Sequence, residues 1–159
     1  MFSRLDLESR LHDLQEQLRR AQVVTPDLTS KVVAAACTRI TMPSCAAKAA
    51  KIDRLIESEA WTDAALALVE LELPQWQVRR LVYEEGAWLC SLSKQCSPRV
   101  WLIDCAEARH ESLPLAILSA LIEARRCGEP TLGQAASSVP RCPLESSSPA
   151  EIMCCDNFA

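Results

Sequence analysis

A chain of 159 residues with 49% apolar and 24% charged residues has the size and composition of one domain with extensions, long enough to bury a core. The net charge is −4, and no basic field is present to release phosphate counterions, which excludes nonspecific nucleic-acid binding. Gly86 is the only glycine among residues 1–127, so no glycine-rich loop can bring several backbone N–H groups up to a phosphate, and the common nucleotide-binding motifs are excluded too.

Residues 3–22 are predicted as an amphipathic helix. Leu7, Leu11, Leu14, Leu18 and Ala21 recur at alternating spacings of four and three, which places them on one stripe as the a and d positions of a heptad. Ser3 and Asp6 make a capping-box-like start, and the outer face is charged and rich in glutamine. Residues 1–23 are therefore read as an association helix that meets a second copy or another protein through Leu7, Leu11, Leu14 and Leu18. The stripe is shorter than the three to four heptads a coiled coil needs, and docking on the chain's own domain is the alternative reading.

Thr25-Pro26 reads as the N-cap and first position of a second helix running to about Arg39, because proline's missing N–H is no loss there. Met42-Pro43-Ser44 stops it. A third helix is predicted from Cys45 to about Glu59, burying Ala49, Ile52, Leu55 and Ile56. A fourth runs from Trp61 to Leu73, with Trp61, Ala64, Ala65, Leu68 and Leu71 at helical spacing, until Pro74 ends it. The two form an αα-hairpin that resembles one helical unit of a tetratricopeptide repeat in its aromatic, small alanines and closing proline. No second copy follows, and such arrays need about three repeats.

Trp76–Tyr83 and Ala87–Ser93 are predicted strands reversing at Gly86, the structural turn residue. A type I turn with Gly86 in a G1 bulge would pair Tyr83 with Ala87. That register places Trp76, Val78, Arg80 and Val82 on one face with Trp88, Cys90 and Leu92, and leaves Gln77, Arg79, Leu81, Tyr83, Leu89 and Ser91 on the other. Arg80 is the misfit on the apolar face, and its guanidinium is expected to snorkel to the edge or meet a carboxylate. Val100–Ile103 is a candidate third strand. Ser112 then reads as the N-cap of a last helix, whose broad apolar surface from Leu113 to Ala124 marks it as central and as the cover of the hairpin. The expected fold is α+β and mostly α, with four or five helices around one hairpin, in a domain spanning 24–127.

Residues 128–159 hold four prolines, the triplet Ser146-Ser147-Ser148 and few apolar residues, and this tail is expected to be disordered. It carries one basic and four acidic residues, so it supplies −3 of the −4 net charge. The N-terminal stretch shows no export signal and no apolar run is long enough to span a bilayer, so a cytoplasmic protein with no membrane contact is expected.

Segment 51–63, KIDRLIESEAWTD, continuing through Leu73-Pro74-Gln75-Trp76 to Glu85-Gly86-Ala87-Trp88, resembles a family of small alphaproteobacterial proteins of unknown function, over about residues 5–126. That resemblance implies no activity, cofactor or catalytic residue.

The nine cysteines include no C-x-x-C pair, and their odd number in an expected cytoplasmic chain argues for reduced thiols. Cys37 and Cys90 lie in apolar runs and are expected to act as small buried hydrophobes, while Cys154-Cys155 have no neighbouring His or cation to activate them. His12 sits between Glu8 and Glu16 on a solvated helix face. Asp104, Cys105, Glu107, His110 and Glu111 form the one dense polar cluster. Cys105 and His110 are the only candidates for a thiol nucleophile and its base, but no third residue or oxyanion donor accompanies them. The plainer reading is a polar loop whose Glu111 and Ser112 cap the last helix. No metal or cofactor is expected. The sequence thus favours a protein-interaction or adaptor module over the alternative, a small enzyme or thiol redox sensor built on Cys105 and His110.

Overall fold

The computed structural model describes residues 4–94 and 105–127. In chain order they form α1 (Arg4–Arg20), α2 (Pro26–Ala36), two short 3-10 turns (Arg39–Thr41 and Pro43–Cys45), α3 (Ala46–Glu57), α4 (Trp61–Glu72), β1 (Trp76–Glu84), β2 (Ala87–Lys94), β3 (Cys105–His110) and α5 (Leu113–Cys127). The fold is α+β and mostly α, with a three-stranded antiparallel sheet in the order β1-β2-β3. Among the described residues, β1 and β3 are the edge strands.

α5 is the centre. Every residue from Leu115 to Ile122 is buried, Ser119 included, because the helix has neighbours on all sides. β2 and β3 cover one flank, and α4, α1 and α2 cover the others. An apolar surface this wide admits no solvated stripe, as the sequence pattern anticipated. α3 packs on α4, the expected αα-hairpin.

Local chemistry sets most of the element ends. Thr25 Oγ1 accepts the Leu28 N–H at 3.2 Å and Pro26 opens α2. α3 ends in a Schellman arrangement: the Ala60 N–H donates to Leu55 O and the Glu59 N–H to Ile56 O, with Glu59 at φ 57°. A glutamate holds the left-handed position that glycine usually takes. α2 stops at Ala36, short of the expected Arg39, since the N–H groups of Thr38, Arg39 and Ile40 turn to a side chain of α4.

The hairpin departs from the sequence reading in register. Glu84 pairs with Ala87 and Tyr83 with Trp88, leaving a two-residue loop in which Glu85 (φ 54°) and Gly86 (φ 82°) both have positive φ. This is the pattern of a type I′ turn, whose twist matches that of the strands, so the expected type I turn with a bulge is not formed. The slip of one residue exchanges the faces of β1 next to the turn. Leu81 and Tyr83 lie opposite Cys90 and Trp88 on the α5 side, and Arg80 and Val82 lie on the outer side. Arg80 is therefore no misfit: it is exposed, and its Nη2 meets Glu84 Oε1 at 2.8 Å. A bulge between Val78 and Arg80 then restores the expected parity, so Val78 and Trp76 face Leu92 and Lys94. The Tyr83 and Trp88 rings pack with centroids 5.3 Å apart.

The third strand expected at Val100–Ile103 lies outside the described residues, as do residues 128–159. The segment read as a polar loop, Cys105–His110, is instead β3. Ala106 and Ala108 point to α5 while Cys105, Glu107 and Arg109 point outward, so the strand alternates small with polar residues and lacks the branched residues that advertise a strand.

Two left-handed positions make opposite predictions. Gly86→Ala should lower the unfolding free energy by about 1–2 kcal/mol although a Cβ there meets nothing within 4 Å, because the cost is backbone strain. Glu59→Gly should gain up to about 1 kcal/mol by relieving the same strain. Urea unfolding of the two variants measures both signs.

Candidate binding clefts around Arg125

Glu72 builds the most ordered polar centre among the described residues. It follows Ala65 and Leu68 on the buried stripe of α4 and is itself only 2% exposed. Its Oε2 accepts the N–H groups of Thr38 (2.9 Å) and Arg39 (3.0 Å), and Oε1 accepts that of Ile40 (2.8 Å). A buried carboxylate is costly unless its lone pairs are filled, and three charge-assisted bonds fill them here. The same bonds cap the first 3-10 turn and fix the backbone of Arg39.

Two arginines gather beside this clamp. Arg125, near the end of α5, donates to Thr38 Oγ1 at 3.4 Å. Arg39 leads the 3-10 turn, and its Nε is buried with no hydrogen-bond partner among the described residues. Neither guanidinium forms an ion pair with a described residue. Glu72, the acid nearest at hand, has both oxygens engaged by backbone.

Arg125 borders two clefts. One, of about 230 Å³, is lined by Arg39, Glu72, Trp76, Lys94 and Arg125, with the Leu73–Gln75 turn as its rim. The other, of about 240 Å³, is a groove between Leu7, Glu8 and Leu11 of α1, Ala35 of α2, Thr38, and Arg125 and Arg126 of α5. Arg126 is held by Gln15 Oε1 at 2.9 Å and Glu123 Oε2 at 3.1 Å.

The leucine stripe of α1 divides at this groove. Leu11, Leu14 and Leu18 are buried in the core of their own chain, against α5 and α2, and Leu7 alone of the four remains 36% exposed. The geometry of a heptad seam and that of a helix docking on its own domain are the same in sequence; here the hydrophobic partner of the seam is α5.

Cys105 and His110 are not brought together. Five residues apart on β3, they point to opposite faces of the sheet. Cys105 is exposed, with its Sγ 3.4 Å from Ser91 Oγ and 3.8 Å from Glu107 Oε1. His110 Nδ1 accepts the Ser112 N–H at 2.9 Å at the entrance to α5, a positioning contact for the helix start. No group of His, Cys, Asp and Glu suited to a metal ion occurs among the described residues, and no described helix is long and apolar enough to cross a membrane. Cys37 and Cys90 are buried thiols. Desolvation, then the nearby Glu72 carboxylate, push Cys37 up to about 12, with Arg125 opposing; desolvation pushes Cys90 up to about 11.

No protein-family model, curated protein or solved structure matches the chain.

Glu72, Arg39 and Arg125 are not among the residues that the sequence singles out. The one signal for Glu72 was its place on the apolar stripe of α4, where a charge demands a partner. Glu72→Gln should cost about 1.5–3 kcal/mol, because an amide N–H₂ would oppose backbone donors where a carboxylate now accepts; thermal unfolding monitored by circular dichroism checks it. The two thiols predict the alkaline limit. Their folded values exceed the ordinary 9.0, so stability is fully present below pH 9 and falls as pH rises through about 11 to 12, when unfolding releases the thiolates. Urea midpoints should drop above pH 9, and by less in a Cys37→Ala, Cys90→Ala double variant.

Proposed function

We propose that the protein is an interaction module, and that its contact is the groove at the Leu7 end of α1. The partner is another protein, offering a short amphipathic segment with apolar residues for Leu7, Leu11 and Ala35 and an acidic residue for the Arg125–Arg126 rim. The observation that carries this reading is Leu7. It continues a stripe whose other three leucines are buried in the core, yet it is left exposed in a concave site bordered by Arg125 and Arg126 beside Glu8. Apolar anchors in a pocket with a charged rim are the usual anatomy of a recognition surface.

Removing α1 is not a clean test, since deletion would also strip Leu11, Leu14 and Leu18 from the core, each worth about 1.5–3 kcal/mol of burial. A photo-crosslinking residue at position 7 separates contact from folding. Irradiation in cells should give one discrete adduct, absent when the same residue is placed at exposed Val23 and absent when Ala35→Glu fills the groove. An adduct at twice the chain mass would identify the partner as a second copy and revise the commitment to a different protein. No adduct at position 7 beyond the level at position 23, or one indifferent to Ala35→Glu, would sink the proposal.

A further inference from the structure

The cleft on the other side of Arg125 presents different chemistry. Arg39 and Arg125 bring two guanidinium cations to one concavity, lined also by Lys94, in a chain whose overall charge is −4, and the single acid in its lining, Glu72, is saturated by three backbone N–H groups. A carboxylate so engaged fixes the site but does not pair with the arginines by direct contact. Arg125 can be explained in part by its place in the last turn of α5, where a cation complements the helix carbonyls. Arg39 has no such account: it lies in a three-residue 3-10 turn, too short to carry a helix dipole, and it keeps a buried Nε without a partner among the described residues. Its position is set through its own backbone N–H, which Glu72 holds, and Arg125 is oriented through Thr38. The fixed backbone of Arg39 and the contact of Arg125 with Thr38 set two guanidiniums, neither ion-paired to a described residue, on one concavity suited to a negative group.

We propose that this cleft binds a phosphate-type oxyanion, either free phosphate or the terminal phosphate of a small ester. The volume, about 230 Å³, is below the roughly 300–1,000 Å³ of pockets that enclose drug-sized ligands, so it suits a single compact anion. Guanidinium forks favour oxyanions that accept two parallel N–H bonds. Trp76, at the start of β1, lines the cleft and provides a resident reporter.

The test is titration of the full chain with sodium phosphate, with O-phosphoserine and with succinate, each against sodium chloride at matched ionic strength, following the Trp76 indole N–H resonance. Phosphate should shift that resonance saturably and chloride should not. If phosphoserine binds as tightly as phosphate, the recognised group is an ester's terminal phosphate; if only phosphate binds, it is the free anion, and both outcomes support the assignment. Arg39→Gln and Arg125→Gln should each weaken binding by about tenfold or more, the loss of one charge-assisted contact. Arg80→Gln, outside the cleft, should leave affinity unchanged. Each variant's amide spectrum shows whether the fold persists, and Lys94→Gln is a further variant on a different element. No saturable shift, a shift equally strong in both arginine variants, or tighter binding of succinate than of phosphate would overturn the proposal. Arg39 does not line the Leu7 groove, so its variant separates this site from the protein contact proposed above.

Discussion

The need to cover α5 fixes the five elements that pack on it, α1, α2, α4, β2 and β3. A helix buried from Leu115 to Ile122 without a break is unstable in water unless each of its faces is packed, and the sheet, α4, α1 and α2 together supply that cover. The leucines of α1 are spent on the same task. What is left of α1 for any other role is its first turns, where Leu7 lies beyond the reach of the core.

The Glu72 clamp links the helical layer to the clefts. By drawing three consecutive N–H groups of residues 38–40 to one carboxylate, it ends α2 early, turns the chain toward α3, and places Arg39 and Thr38 beside Arg125. Because a carboxylate filled by backbone donors is no longer a close partner for a guanidinium, the clamp leaves Arg39 and Arg125 without an ion pair among the described residues. Stability and local electrostatics have here a single origin.

Patterns that depend on local periodicity were legible in the sequence. Thr25-Pro26, the stripe of α4 and the wide apolar surface of α5 placed the starts of their helices, because capping and amphipathicity are written within one or two turns, while the end of α2 fell at Ala36 and not at the expected Arg39. The hairpin was legible in existence and not in register. A single glycine is compatible with either turn, and only the left-handed backbone of Glu85, a residue with no special claim to it, distinguishes them. β3 was hidden because its inward residues are alanines, which α5 requires for close approach and which carry no strand signal. Glu72 and the arginines were illegible for another reason: their meaning depends on contacts between residues more than thirty positions apart.

The irregularity in β1 has a bearing on how copies of this chain can meet. An exposed edge strand offers unpaired backbone groups to any neighbouring strand, and a long, regular one invites sheets to fuse across molecules. β1 is nine residues long, but the bulge between Val78 and Arg80 interrupts its ladder and sets two successive arginines there. A second sheet arriving along this edge would find its hydrogen-bond spacing broken at mid-strand and would have to desolvate charge to continue. The fold thereby discourages growth into fibres at β1 and leaves its helical end as the side better suited to specific encounters.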